Sequence, residues 1–302
     1  MLLILLVITL VLLYVIYFSI KKNNHKKELF SLLQFNKNSI HFNNYLTSIH
    51  RAQYCNKIPI PNCKTLHKNN FKKKYISLIK DVPIKYKKML NSYTNKIDKL
   101  FTKRKLHIFN KVPWIFFMSI ENLEDNMPFT LDKYIIVSDQ LLKNEFNTIK
   151  KYFNPHFINT LIHEKIHVIQ RMYQKEFDTF YLKKYTFLSS KISVNRLPNK
   201  IKRIYMTNPD SNNSIWIYKY QGIKIFPILI KKNNKYSDYA INIHNLKKFN
   251  LNKIKNNYVF SNHVSFYHPN EIFACTFSHD IMDNSIEDDF MFFFNYLDAL
   301  NK

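Results

Sequence analysis

One short stretch, NTLIHEKIHVIQR at residues 159–171, contains the residue types of a metal centre. His163 and His167 are four residues apart, so on a helix both imidazoles project from one face and can reach the same ion. Glu164 is turned from His163 by about 100°, which directs its carboxylate to a water molecule in the open coordination position. The pattern predicts a Zn²⁺ site in which the metal lowers the pKa of that water molecule and Glu164 accepts its proton.

A catalytic zinc site usually has three protein ligands and a water molecule, so one more ligand is needed. No third histidine follows closely, because residues 168–173 read VIQRMY. Glu271, in the stretch HPNEIFA, is the preferred third ligand, and His268, His279 and Asp280 are its rivals. A purely structural interpretation of Glu271 also exists, because the dipole of a helix favours an acidic residue in its first turn.

The motif HEKIH at 163–167, together with NEIFA at 270–274, resembles the gluzincin group of zincin metallopeptidases, in which the third ligand is a Glu on a later helix. The resemblance covers about residues 110–285. It implies a zincin-like fold, a polypeptide substrate and one Zn²⁺ per chain. The site residues that it implies are His163, His167 and Glu271 as ligands and Glu164 as general base. More loosely, the whole chain is similar to HExxH proteins of large DNA viruses.

Two features depart from the gluzincin pattern. The gap between His167 and Glu271 is long, and Cys275 stands where the thermolysin-type pattern has an Asp. We interpret Cys275 as a small core residue. The group that orients a zinc-bound imidazole must therefore come from elsewhere, or be a backbone carbonyl.

The resemblance also implies a substrate-binding strand and an oxyanion donor. In zincins an edge strand beside the active-site helix pairs with an extended substrate, and Tyr134 to Ser138 is the candidate here, with an ordinary internal strand as the alternative. A donor for the developing oxyanion is commonly Tyr, His or Arg. The candidates are Tyr205, Tyr218, Tyr267 and His268, and with 20 tyrosines in the chain the sequence does not choose among them.

The motif must be positioned by a long helix that begins near Pro155. Asn154 is a suitable N-cap, and Pro155 occupies the first helical position, where its missing N–H costs least. Apolar residues recur at spacings of three and four, which predicts one buried stripe. This stripe consists of Ile158, Leu161, Ile162, Ile166 and Ile169.

The rest of the chain after residue 70 mixes helical and strand patterns. Apolar spacing predicts two helices broken near Pro83, strands at 114–120 and 133–138, and helices from about 270 and 288. A β-hairpin insertion is expected at about 214–230, turning at Gln221-Gly222. The predicted fold class is α+β: a zincin-like domain whose active-site helix packs on a small mixed sheet, preceded by one transmembrane helix.

The first 20 residues contain no charged side chain and are followed by KKNNHKK. A helix of that length spans about 30 Å, the thickness of a bilayer core. No basic residue precedes the run and no small residues end it, which favours an uncleaved anchor over a signal peptide. The following lysines predict a body on the cytosolic side, and the viral likeness would make this a viral or virus-modified membrane. The expected domains are an anchor at 1–20, a basic tether at 21–70 and the peptidase domain at 71–302.

The formal net charge of +25 suggests a polyanionic partner, but the lysines are spread along the chain beside Asn. No RNP-type motif and no Cys/His finger accompanies them. We therefore expect a solvated basic surface and no specific nucleic-acid partner. The three cysteines form no CxxC and indicate a reducing compartment, with a Cys55–Cys63 disulfide as the alternative.

The leading functional hypothesis is a membrane-anchored zinc peptidase. The alternative is a catalytically inactive membrane-anchored structural or interaction protein on a zincin-like scaffold. Glu164 discriminates between them, because a scaffold needs the histidines but no general base. A third hypothesis, a basic protein that binds nucleic acid at a membrane, predicts steeply salt-dependent binding.

Overall fold

The computed structural model describes Tyr14 and residues 39–149, 152–211, 214–232, 235–251 and 264–300. Lys37–Lys302 belong to one compact unit and Met1–Asn36 to another. The helices of the larger unit are α1 Ile40–Ser48, α2 Tyr54–Lys57, α3 Lys68–Ser77, α4 Ile84–Lys103, α5 His107–Lys111, α6 Asp139–Thr148, α7 Pro155–Met172, α8 Gln174–Lys184, α9 Asn199–Lys202, α10 Pro269–Asp283 and α11 Asp288–Ala299. Its strands are β1 Ile79–Asp81, β2 Phe116–Ser119, β3 Phe129–Leu131, β4 Tyr134–Ser138, β5 Leu188–Ser193, β6 Ser214–Tyr220, β7 Ile223–Lys232, β8 Lys235–Asn242 and β9 Lys248–Asn250.

The first sheet has the strand order β1-β2-β4-β3. Strands β2 and β4 are parallel, and β1 and β3 are antiparallel to their neighbours. Every residue of β2, β3 and β4 is buried, which explains why these strands read as continuous apolar runs. The predicted strands at 114–120 and 133–138 are confirmed as β2 and β4. The expectation that Tyr134 to Ser138 forms an edge is wrong, since β4 lies between β2 and β3.

The second sheet is antiparallel, with its five strands in chain order from β5 to β9. The predicted hairpin is confirmed as β6 and β7, and Gly222 at its turn has a φ of 77°. The hairpin is not an isolated insertion, however, because β5 pairs with β6 and β8 pairs with β7. One face of this sheet packs on the segment that follows β5, in a cluster that includes Val194, Ile201, Tyr205 and Ile228.

Helix α7 carries the HEKIH motif through the middle of the domain. Its start agrees with the sequence: the Asn154 side chain accepts a hydrogen bond from the backbone N–H of His156, and Pro155 is the first residue. The apolar stripe is buried as expected, but Glu164, Lys165, His167 and Gln170 are buried as well. The helix is therefore enclosed on most sides, because it packs on β3, β4 and α10.

Helix α10 packs against α7 and shares an aromatic core with α8 and α11. Phe177 of α8 lies 5.3 Å from Phe273 and 4.8 Å from Phe293, measured between ring centroids. Ala274 of α10 is fully buried, and its small side chain suits a close approach of the helices. This packing places the first turn of α10, with Glu271, beside the histidines of α7.

The predicted fold class is corrected in two respects. Within the described residues the domain contains two sheets rather than one small sheet. The predicted transmembrane helix at 1–20 lies, except for Tyr14, outside the described residues, and the part of the chain that is described contains no helix long and apolar enough to cross a bilayer. The domain is a mixed α/β structure with two sheets.

The predicted tether at 21–70 and the cysteine interpretation also need correction. Residues 39–70 belong to the compact unit, and Phe42, Tyr45 and Leu46 of α1 are buried in it. Cys55 and Cys63 form a disulfide with a Cα–Cα distance of 5.2 Å. Cys275 is the free cysteine, so the odd cysteine count does not mean that all three thiols are reduced.

Lys165, inside the motif, has a structural role. Its side chain is completely buried, its Nζ donates to the carbonyl oxygens of Val112 and Pro113, and it lies 4.4 Å from the Trp114 ring centroid. Lys165 thereby links α7 to the chain that leads from α5 into β2. A charged donor to two carbonyl oxygens, one of them buried, contributes more than an ordinary hydrogen bond.

We expect Lys165→Met to lower the free energy of unfolding by about 2–4 kcal/mol, because two carbonyl oxygens, one of them buried, lose their charged donor. Urea denaturation followed by tryptophan fluorescence measures this loss. Lys175→Met, at an exposed position of α8, should change the value by no more than about 0.5 kcal/mol. Equal losses in the two variants would contradict the role assigned to Lys165.

Candidate metal centre

His163, His167 and Glu271 converge between α7 and α10. The Nε2 atoms of the two histidines are 2.9 Å apart. The Glu271 carboxylate lies with Oε2 3.4 Å from His163 Nε2 and Oε1 3.6 Å from His167 Nε2. The structure thus brings together the three side chains that the sequence suggests as ligands, and one ligand atom from each lies within 4.8 Å of the others.

These distances fit a single small ion. In a tetrahedral zinc site with bonds of 2.0–2.1 Å, neighbouring ligand atoms lie about 3.3 Å apart. The separations of 2.9, 3.4 and 3.6 Å, the last two measured to different oxygens of Glu271, lie close to that value. Two imidazoles and one carboxylate are also the donor set of known catalytic zinc sites, and a site with three protein ligands leaves one position open.

Glu164 is buried at the same place without being part of the cluster. Its side chain lines a cavity with His163 and Glu271, and its residue is only 4% exposed. Its Oε2 is buried and has no hydrogen-bond partner among the described residues. Burial, reinforced by the negative charges of Asp210 and Glu271, raises its pKa to about 8 despite the nearby histidines. A carboxylate with such a pKa can exchange protons near neutral pH, as a general base must.

The three ligand side chains affect one another's titration. Burial alone would raise the pKa of Glu271, but the His167 and His163 rings hold it well below its usual value. Burial alone would lower the pKa of both histidines, yet Cys275 and Glu271 raise that of His163, while Asp210 and Glu271 raise that of His167. Protons on the two histidines can therefore supply part of the positive charge that offsets the Glu271 carboxylate.

Gln170 orients His167 in a way that the sequence did not indicate. Its Oε1 lies 2.7 Å from His167 Nδ1, so an N–H at Nδ1 donates to the amide and leaves the Nε2 lone pair facing the cluster. Its Nε2 donates to Tyr181 Oη at 2.8 Å and to the Asn270 carbonyl at 3.0 Å. The orienting group is thus a neutral amide from α7 itself, and it also links α7 to the turn that carries Glu271.

Asn208 and Tyr267 contact the third ligand. Asn208 Nδ2 donates to Glu271 Oε1 at 2.9 Å and also to the Tyr267 hydroxyl, which lies 3.4 Å from the same carboxylate oxygen. Of the four oxyanion donors considered from sequence, Tyr267 is therefore the one that contacts the cluster. Asn208 lies in an irregular segment with no local signal of function.

The other candidates have structural positions. Tyr218 Oη donates to the Phe266 carbonyl, and Tyr205 packs in the core of the second sheet. The His268 side chain caps α10 by accepting from the Asn270 N–H, and burial lowers its pKa to about 3. His279 and Asp280 lie outside the cluster of ligand atoms. Cys275 is half-buried and raises the pKa of His163, so it lies beside the site rather than in the core.

The cavity above the cluster has a volume of about 250 Å³. Its walls come from α7, α10, the chain leading into β3, the segment 206–210 and strand β7. Met127, Pro128 and Phe129 give one wall an apolar character. The far wall carries Lys57 and Glu124, which form a buried ion pair at 2.6 Å.

The comparisons with known proteins identify no relative. No family model matches the chain, and no curated protein and no solved structure matches it. The resemblance to gluzincins therefore rests on the residues themselves and stays a prediction.

Replacing Gln170 with Leu should weaken Zn²⁺ binding by about 10- to 100-fold, because the His167 ring loses the acceptor that sets its tautomer and orientation. Competition with a chromophoric chelator measures the dissociation constant. Gln174→Leu, four residues later in α8, is the matched control and should leave the constant unchanged. A Gln170→Leu variant that binds Zn²⁺ as tightly as the control would refute the orienting role.

Zn²⁺ affinity should also fall with decreasing pH, because protons and the metal compete for the two histidines. The pKa values of both rings lie above the ordinary 6.5 in the metal-free protein. Competition therefore starts at a higher pH than it would for unperturbed histidines, and the affinity is greatest above the raised values. Chelator competition between about pH 5 and 8 tests this. A dissociation constant independent of pH over that range would contradict histidine ligation.

Proposed function

We propose that this protein is a metal-dependent hydrolase, with Zn²⁺ as the metal and a peptide as the substrate. The observation that carries the proposal is the convergence of His163, His167 and Glu271 beside a buried Glu164 that has no hydrogen-bond partner at Oε2 among the described residues. The chemistry of this donor set supports zinc, because nitrogen and carboxylate ligands at tetrahedral spacing suit that ion.

His163, His167 and Glu271 would hold the ion. The ion would supply Lewis-acid polarisation of the substrate carbonyl and a lowered pKa for a water molecule. Glu164 would accept a proton in the cavity and later return it to the leaving amine. Asn208 would keep Glu271 oriented through the hydrogen bond to Oε1, and Gln170 would do the same for His167. Tyr267, beside Glu271, is the preferred donor to a developing oxyanion.

The condition of Glu164 supports catalysis over an inactive scaffold. Burying a carboxylate without satisfying both of its oxygens is costly, and a protein that only binds metal has no need of it.

Purified protein equilibrated with Zn²⁺ should contain one ion per chain by mass spectrometry, and His163→Ala should lose it. Glu164→Gln should keep the ion and lose hydrolysis of a quenched-fluorescence peptide library by about 10²- to 10⁴-fold, because the proton acceptor is gone. Glu176→Gln, in α8, is the control and should retain full activity.

Two results would count against the proposal. If the purified protein contains no stoichiometric metal, the proposed metal centre is wrong. If the Glu164→Gln variant keeps its metal ion and still performs the biological role of the protein, the non-catalytic scaffold is favoured.

A further inference from the structure

The edge of the first sheet that faces the candidate site is closed. Strand β3 forms this edge, and the Thr130 N–H and C=O point away from β4. In strand addition, a substrate's carbonyl accepts from such an N–H and its amide donates to such a C=O. Here the Asp210 carboxylate accepts from Thr130 N at 3.1 Å, and Arg171 Nη2 donates to Thr130 O at 3.0 Å. The two side chains therefore occupy the positions of a substrate backbone.

The closure continues past the end of the strand. Asp132 lies in the turn between β3 and β4, and its carbonyl accepts from Arg171 Nη1 at 3.1 Å. Asp210 and Arg171 are themselves an ion pair at 3.2 Å, and each side chain is only 6% exposed. A buried pair of this kind is costly to break, because the remaining charge would lack its partner.

The segment that carries Asp210 is fixed from several sides. Its Thr207 carbonyl accepts from Lys57 Nζ, and its Asp210 carbonyl accepts from Asn270 Nδ2 at 2.8 Å. Asn208 donates to Glu271. The same short segment thus contacts a candidate metal ligand and blocks the neighbouring strand edge.

The open space at the site is small. The cavity beside His163, Glu164 and Glu271 measures about 250 Å³, below the roughly 300–1,000 Å³ typical of pockets for drug-sized ligands. Such a cavity accommodates a few groups around one scissile bond. An extended polypeptide needs a longer binding surface, and at β3 that surface is occupied.

We propose that Asp210 and Arg171 are specificity-determining residues that exclude strand-like substrates, so that the site acts on short peptides of a few residues. This inference rests on the proposed function for its chemistry. The closed edge depends on residues outside the metal cluster. It can therefore be tested by measuring peptide binding to a protein that does not cleave the peptide.

The test uses the full chain loaded with Zn²⁺ and carrying Glu164→Gln, so that neither probe is cleaved. The probes are a fluorescein-labelled capped tripeptide and fluorescein-labelled, reduced and carboxymethylated α-lactalbumin, an unfolded polypeptide. Anisotropy is measured at about 0.3 M NaCl, where exposed charges are screened beyond roughly 6 Å. We expect the parent protein to bind the tripeptide more tightly than the polypeptide.

Adding Asp210→Ala should strengthen polypeptide binding by about tenfold or more, because the Thr130 N–H becomes available. Tripeptide binding should stay within about threefold. Asp210→Asn keeps an acceptor for that N–H and should behave like the parent. Asp178→Ala, which removes the ion pair with Lys191 at 2.7 Å, is the matched control and should also have no effect.

Hydrogen exchange of the peptide that covers residues 128–132 checks that the edge has opened in Asp210→Ala and not in Asp210→Asn. The proposal is overturned if the parent binds the polypeptide more tightly than the tripeptide. It is also overturned if the edge amides of Asp210→Ala exchange faster while polypeptide binding stays unchanged. Failure of catalysis alone, with these binding results intact, would count against the peptidase proposal and leave the closed edge standing.

Discussion

Most of the charged and polar side chains at this site can be buried because a neighbouring group compensates them, and Glu164 Oε2 is the exception, since it has no hydrogen-bond partner among the described residues. Glu164, His167 and Glu271 are each less than a tenth exposed, and an isolated buried charge costs several kcal/mol. The histidines stabilise the Glu271 carboxylate, and Glu271 in turn stabilises the protonated rings. Burial and the neighbouring groups together shift the pKa values of the two carboxyl groups in opposite directions, up for Glu164 and down for Glu271, which suits a proton acceptor and a metal ligand. A divalent cation would neutralise the cluster more completely than protons do.

The same requirement explains the polar residues around the cluster. The Gln170 side chain hydrogen-bonds His167 Nδ1 and donates to the backbone carbonyl of Asn270. The Asn270 side-chain amide in turn donates to the backbone carbonyl of Asp210. Asp210 continues the chain of contacts to Arg171 on α7. Helices α7 and α10 are therefore connected by two polar routes in addition to their direct packing. Since every link is buried, a shift of one helix would leave several groups unsatisfied, so the ligands are held in place before any ion binds.

A chain with one glycine must build its tight turns from other residues. The loop from Glu121 to Asn126, which leads to the cavity wall, contains left-handed conformations at Glu124 and Asp125. Such residues are each strained by about 1–3 kcal/mol unless contacts hold them. Buried contacts are present: Lys57, Tyr45 and Tyr75 all bind the Glu124 carboxylate. The strain of this loop is thus offset by the ion pair that closes the far wall of the cavity.

Local spacing was enough to predict helix α7, its Asn154 cap, and the relation of His163, Glu164 and His167, because all of these depend on the geometry of one helix. The hairpin that turns at Gly222 was likewise predictable from neighbouring residues alone. Strand order was not, since β3 and β4 are both short apolar runs and nothing in either run says which one forms the edge. The contacts of Asn208 and Asp210 were also unforeseen, because spacing along the chain specifies only which side chains share one face of an element. Their partners Thr130, Arg171 and Glu271 are 39 to 80 positions away and meet them only when the complete core packs. Gln170 is three residues after His167 on the same helix, so this contact was within reach of spacing and was missed.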